Sequence, residues 1–450
     1  MKPWHTAPVA GPAGEREVFV PEPLPPEYVA VIERVRRQPD AIEQRRDAVR
    51  ARFPDDAGYE TRPDAVRISA ALLERLGAQD AIDFALASCR YPSMMIDRNQ
   101  ADAMFGRLRA LLDAPNATPP SLLLLAGDQI YADATAGLFD PNSRRERFYD
   151  AYHEAWTPPN AREVLRSVPT YMTMDDHEAD DDWHPEEFGP VDSDTARRVR
   201  NQMHEWALQA FREHQLAHSP WKTYVPGELK RVDKDLAKPG YWYRFDAAGF
   251  PFFVCDTRST RSGRTLIMSP ELHTVLEDWL ASQQRDGGNR PKFVVSPSVV
   301  VPFLRDASGK PAYSQRSDGW EGFPASLRRL FSFIAEQDIQ NVVFLCGDPH
   351  CAMTSRLEID GANGALQALC VIGSPMYAPF PFANSAPEDF EATGSVPLDA
   401  GREARYACLR SVEGNSFTTV GARRDGNGWT IGVRVHGLDG LLDAAEYQLR

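Results

Sequence analysis

No stretch of the 450-residue chain reaches the ~18 consecutive apolar residues that a membrane-spanning helix requires, so no membrane partner is expected. The first 25 residues lack the apolar segment of a secretory signal. They are instead proline-rich, with Pro21, Pro23, Pro25 and Pro26 closing an extended arm. Basic residues are in deficit: 50 Lys and Arg stand against 64 Asp and Glu, for a net charge of -14. A bulk electrostatic hold on nucleic acid or on an anionic membrane is therefore not expected. A small anionic substrate stays open, because metal cations and arginines can reverse the sign locally. Cysteine is scarce: Cys89, Cys255, Cys346, Cys351, Cys370 and Cys408 are not spaced like a small disulfide scaffold. Together with the missing signal, this gives a cytoplasmic expectation. Internal repeats are absent, and the proline-rich arm is the one biased segment.

What is present is an ordinary globular composition, 42% hydrophobic and 25% charged, in an α/β rhythm. Residues 27–53 and 64–76 have helical apolar spacing and, with the arm, make an amino-terminal region over 1–80. A first core strand follows at 82–87. A helix at 97–112 and a strand at 122–125 complete a strand–helix–strand unit, the signature of a right-handed parallel crossover. Helices are expected at 144–156, 161–167 and 196–218. Residues 241–245 and 250–256 read as antiparallel strands joined at Ala248-Gly249. Further helices fall at 271–284 and 327–337. Further strands fall at 293–301, 342–346, 356–359, 368–372, 417–422 and 430–435, the last two joined by a Gly426-Asn427-Gly428 hairpin. No strong linker interrupts 82–440, so 81–450 is expected to be one domain.

Four apolar runs, 84–87, 122–126, 171–174 and 342–346, read as strands buried on both faces. Each is followed by side chains that suit metals: Ala87-Ser88-Cys89-Arg90, Gly127-Asp128-Gln129-Ile130-Tyr131, Asp175-Asp176-His177-Glu178 and Gly347-Asp348-Pro349-His350. Ligands in α/β folds gather at such strand ends. Asp128 can bridge two cations, and a tyrosinate at Tyr131 suits a hard trivalent ion. Equally, Asp128 can cap a helix while Tyr131 packs. In the third cluster one Asp can ligate, His177 can serve as general acid or oxyanion partner, and Glu178 can orient His177. The acidity continues through Asp180, Asp181 and Asp182, which fits a solvated loop, and these three are not taken as ligands. Asp348 and His350 can hold one metal or two. Cys89 alone would read as a small buried hydrophobe. Arg258, after Cys255-Asp256-Thr257, can meet phosphate oxygens or pair with Asp256, and Arg90 adjoins Cys89. His204, His214 and His218 read as surface or packing residues.

In this order the motifs resemble the alkaline phosphatase D (PhoD)-like metallophosphatases of the calcineurin-like metallophosphoesterase superfamily, over roughly residues 82–375. The carrying residues are Ala87-Ser88-Cys89, Gly127-Asp128 with Tyr131, Asp175-Asp176-His177-Glu178, Asp256-Thr257-Arg258 and Gly347-Asp348 with His350. The resemblance implies a four-layer α/β/β/α sandwich over 81–450. It implies an Fe(III) site of Cys89, Asp128, Tyr131 and one of Asp348 and His350. A second site, Ca(II) or another divalent ion, would share Asp128 and use Asp176 with the other of that pair, Asp175 assisting. His177 matches the superfamily's catalytic histidine, and Arg258 and Arg90 would meet the phosphate. Many relatives add a His or Asn in the region matching 293–302; this chain has neither, leaving Ser296, Ser298, water or a further carboxylate. The expected activity is hydrolysis of a phosphomonoester or phosphodiester by in-line attack of a metal-bound hydroxide. Hydrolysis of another ester or anhydride at the same centre, and a non-catalytic metal-binding protein, are the competing readings.

Overall fold

Runs of unbroken apolar residues become the central strands, because only a strand covered on both faces can bury every side chain. The computed structural model describes residues 78–91, 97–114, 119–133, 145–181, 183, 185, 194–216, 219, 241–262, 265–305, 318–379 and 386–450, with 194–200 as backbone only. The backbone of 4–11 and 14–21 is also described: β1 (Trp4–Gly11) and β2 (Gly14–Pro21) pair antiparallel within the proline-rich arm. The helices expected at 27–53 and 64–76 lie outside the described residues.

One sheet is built on β3 (Ala81–Arg90), β4 (Leu123–Ala126) and β5 (Thr170–Thr173), which run parallel. Helix α1 (Arg98–Leu112) makes the first crossover, and α2 (Glu146–Trp156) and α3 (Pro159–Ser167) make the second. Helix α4 (Asp194–Phe211) follows β5 and widens into a π-helical turn at Arg212–Leu216, within the span 196–218 that the sequence suggested as helix. The second sheet takes β6 (Tyr243–Ala247), β7 (Phe250–Val254), β8 (Lys292–Ser296) and β9 (Val342–Cys346). Its crossovers are α5 (Pro270–Gly287) and α6 (Pro324–Glu336). Beyond β9 come β10 (Cys351–Asp360), β11 (Ala365–Ile372), β12 (Pro375–Tyr377), β13 (Thr393–Pro397) and β14 (Glu403–Glu413). The chain ends with β15 (Phe417–Asp425), β16 (Gly428–Gly437) and β17 (Gly440–Leu449). The resulting orders are β17-β16-β15-β3-β4-β5, with β12 on β3, and β13-β14-β10-β11-β9-β8-β7-β6.

Both sheets thus have a parallel centre, β3-β4-β5 and β7-β8-β9-β11. One apolar cluster takes residues from both sheets, with Phe84 meeting Phe252 and Phe293 edge-on at 5.4 and 5.2 Å. A second packs Leu276, Leu330 and Phe331 of α5 and α6 against Val294 and Phe344. A third packs Phe105, Trp156 and Val164 of α1 to α3 against Leu123, Leu125 and Met172. Each large apolar side chain so buried contributes about 1.5–3 kcal/mol. Positive φ at Ala248 (52°) and Gly249 (75°) makes the β6–β7 turn the sequence indicated. Strand β8 stops at Ser296 because Pro297 cannot donate to the ladder.

Candidate metal centre

Backbone geometry creates the site before any side chain does. Seven non-glycine residues among those described have positive φ, and three of them, Cys89 (26°) at the end of β3, Asp128 (55°) after β4 and Asp348 (77°) after β9, lie where the core strands bring acids together. Such conformations persist only where the surroundings hold them, and they concentrate at functional sites. Gly347 lets the ends of β9 and β4 meet: a Cβ there would lie 1.9 Å from Ala126 O. At Gly127 (φ 91°) a Cβ would lie 2.5 Å from Asp175 Cβ. Glu178 ties the turns together. Its buried carboxylate accepts from the backbone N–H of Asp128 (3.2 Å), Gln129 (2.7 Å) and Asp175 (2.8 Å), and from Gln215 Nε2 (2.7 Å). Burial pushes Glu178 up to about 8, against the pull of those N–H groups. The sequence suggested Glu178 as the partner that orients His177; its acceptors are spent on backbone N–H groups and Gln215 instead.

The turns bring five carboxylates together. Asp128, Asp175 and Asp348 offer oxygens within 4.8 Å of one another, as do Asp175, Asp176 and Asp318, while Asp128 and Asp176 form a third group with a ring nitrogen of His177. Asp128, Asp175 and Asp176 each belong to two of these groups, as bridging ligands would. Burial, then the neighbouring acids, hold Asp128 and Asp348 well above the usual carboxylate range. Burial takes Asp175 to about 7 even with the Arg258 guanidinium beside it. Asp128 Oδ1 and Asp175 Oδ2 are buried without a hydrogen-bond partner. Buried acids so placed are costly unless cations neutralise them, so this donor set fits metal ions.

Cys89 and Tyr131 complete one side. Cys89 Sγ lies 3.4 Å from Asp128 Oδ2 and 3.2 Å from Asp348 O, and Tyr131 Oη lies 3.0 Å from His350 Nε2. Burial and adjacent acids push both the thiol and the phenol well upward. A strongly charged cation beside them is what would hold both as anions. His177 stacks on the Tyr131 ring at 4.1 Å. Its Nδ1 lies 2.9 Å from both Asp133 oxygens. Burial opposes charge on His177, but Asp133 and then Asp176 hold its pKa well above the ordinary value.

Arg258 is fully buried and its Nε donates to Asp175, while Nη2 reaches Asp318 and lies 3.4 Å from Asp176 Oδ1. The pairing with Asp256 that the sequence left open is not made by the side chain. Asp256 caps its own turn, accepting from the N–H of Arg258 (3.1 Å), Ser259 (2.8 Å) and Tyr241 (2.7 Å). Arg90 is not gathered into the group: its Nε donates to Ala101 O (3.1 Å) and its Nη1 to Ala155 O. Ser296 Oγ accepts from Trp320 Nε1, and Ser298 Oγ meets Thr257 and Arg261, so both hydroxyls have supporting partners. His214 is buried among Tyr149, Tyr152 and His153, a packing role as expected. Asp133 and Asp318 were not singled out from sequence, because neither directly follows an apolar run. Their signal is spatial.

Comparisons with known proteins fit this geometry. The family described as PhoD-like phosphatase matches residues 84–378. Alkaline phosphatase D of Bacillus subtilis (strain 168) is 24% identical over 214 residues, a match covering 45% of this chain and 34% of that relative's length. A solved structure titled "Structure of PhoD" is similar in fold, with TM-score 0.54 and 16% identity, over 82% of this chain and 69% of the other.

Proposed function

Because the chain belongs to the PhoD-like phosphatase family, we propose that it is a metal-dependent phosphoesterase hydrolysing a phosphomonoester or phosphodiester. The observation that carries this reading is the cluster of buried Asp128, Asp175 and Asp176 with the half-buried Asp348, gathered just beyond the parallel strand ends of both sheets. Asp128, with Cys89, Tyr131 and one of Asp348 and His350, would hold an Fe(III)-like ion. Asp128, Asp176 and the other of that pair, assisted by Asp175, would hold a divalent ion such as Ca(II). Bound there, the cations would lower the pKa of a water and neutralise charge on the phosphoryl oxygens.

The chain's own groups do the rest. Arg258 keeps one donor, Nη1, uncommitted, and this suits a phosphoryl oxygen. Asp133 holds Nδ1 of His177, which leaves Nε2 for the leaving oxygen of an in-line displacement. Arg90, tied to helix carbonyls, is better read as a brace for β3 than as a substrate contact. The apolar clusters on the helix-bearing side of each sheet support a four-layer α/β/β/α catalytic domain over 81–450. All six cysteines are unpaired, in keeping with a cytoplasmic setting.

The test is a panel of aryl phosphomonoesters and phosphodiesters with protein reconstituted in iron and calcium. Turnover of at least one is expected, with His177→Ala slowing it about 100-fold or more. No hydrolysis, in protein that also retains no stoichiometric metal, would end the proposal.

A further inference from the structure

Asp318 is bound to arginines on both of its oxygens: Oδ1 accepts from Arg261 Nη1 and Oδ2 from Arg258 Nη2. Arg261 is fully committed inside the protein. Its Nε donates to Thr257 O (2.8 Å), its Nη2 to Ser298 Oγ (3.2 Å) and Asp318 O (3.3 Å), and its guanidinium lies 4.7 Å from the Phe323 ring centroid. Asp318 is itself fixed by the two residues after it. Trp320 N–H donates to Val299 O (2.8 Å), its Nε1 to Ser296 Oγ (3.0 Å), and a Cβ on Gly319 would crowd Glu321 Oε2 at 2.4 Å and Val299 O at 3.1 Å. Arg258 differs from Arg261 in one respect: with Nε on Asp175 and Nη2 held by Asp318, its buried Nη1 has no partner.

We infer that Asp318 is a positioning residue, which locks Arg258 against the immobile Arg261 so that Nη1 is fixed for a phosphoryl oxygen. This rests on the phosphoesterase reading above and names how its phosphate subsite is set. The bridge also answers a charge problem. An unpaired carboxylate at this place would repel the substrate, whereas one shared by two guanidiniums does not. Fixing a long, flexible side chain before substrate arrives removes an ordering cost from binding.

The test uses full-length protein loaded with iron and calcium, with inorganic phosphate as the titrant in calorimetry and steady-state kinetics alongside. Asp318→Asn is expected to keep the wild-type metal content while its phosphate Kd and its KM rise by at least about tenfold, the loss of a charge-assisted contact. Asp318→Glu, which keeps a carboxylate, should recover part of this. Arg261→Lys, which removes the fork from the other side, should weaken phosphate binding in the same direction and decides the matter if Asp318→Asn does not fold. Unchanged Kd and KM in these variants would overturn the inference. So would loss of a metal equivalent in Asp318→Asn, which would make Asp318 a ligand. A wild-type protein that neither binds phosphate nor hydrolyses a phosphoester fails the parent reading, and this one with it, before any variant is made.

Discussion

His177 shows how one side chain acquires a role through its neighbour. Both Asp133 oxygens lie 2.9 Å from Nδ1, and Asp133 also accepts the N–H of Asp181 at 2.9 Å, so the ring and its carboxylate are held together. Burial works against the imidazolium; Asp133, then Asp176, more than offset it and raise the folded pKa. A raised pKa keeps the proton on at higher pH, and charge is lost as pH rises through that value. Asp133→Asn should therefore move the alkaline limb of the kcat/KM profile to lower pH and reduce kcat by about tenfold or more. A limb that stays in place would show that Asp133 does not set the state of His177. The ligand candidates Cys89, Asp128, Tyr131, Asp175, Asp176, Asp348 and His350 were readable because each closely follows an apolar run. Asp133 and Asp318 were not, because what qualifies them is a partner far away in sequence.

Strands and turns carry the next level. Gly347 is required by contact rather than by dihedral: a Cβ there would lie 1.9 Å from Ala126 O, so the missing Cβ is what lets the chain after β9 pass the end of β4. Gly347→Ala should cost about 3 kcal/mol or more, since backbone meets backbone and neither yields readily. Urea unfolding measures this, and a loss under about 0.5 kcal/mol, the level of an ordinary surface change, would mean that the strand ends are not pressed together. Strand β9 was legible as an unbroken apolar run, and all five of its residues are buried. The β6–β7 hairpin was legible from Ala248-Gly249. Strands β13, β14 and β17 were not, because most of their residues are exposed or half-buried, so no run of buried apolar residues marks them. The acid-bearing turns were legible as positions but not as shapes. Their positive φ values depend on contacts such as the Glu178 carboxylate, which joins the turn after β4 to that after β5.

At the scale of the whole molecule, two sheets are held face to face by one apolar cluster and present their parallel strand ends at one place. Stability has an acid-sensitive component elsewhere in this body. His273 on α5 is buried with neither ring nitrogen hydrogen-bonded, and burial, aided by Arg329, lowers it to about 3. The unfolded chain takes up a proton near the ordinary value of about 6.5 and the folded one does not. Stability present above that value is thus lost as pH falls toward 3, at up to ~1.4 kcal/mol per pH unit. His273→Phe, which keeps a ring against Trp320, should flatten this part of the pH–stability curve; an unchanged slope would exclude His273 as its source. A cation bound among the clustered acids would add stability of another kind, growing with the logarithm of free-ion concentration once that exceeds Kd. The central claim is that these carboxylates form a metal centre that hydrolyses phosphoesters. Its most direct test is metal content and aryl phosphate turnover measured on the same preparations of wild-type protein and Asp128→Asn. Stoichiometric metal with turnover in the wild type, and loss of both in Asp128→Asn, is the predicted result. A variant that hydrolyses phosphoester at the wild-type rate with its metal gone would contradict it.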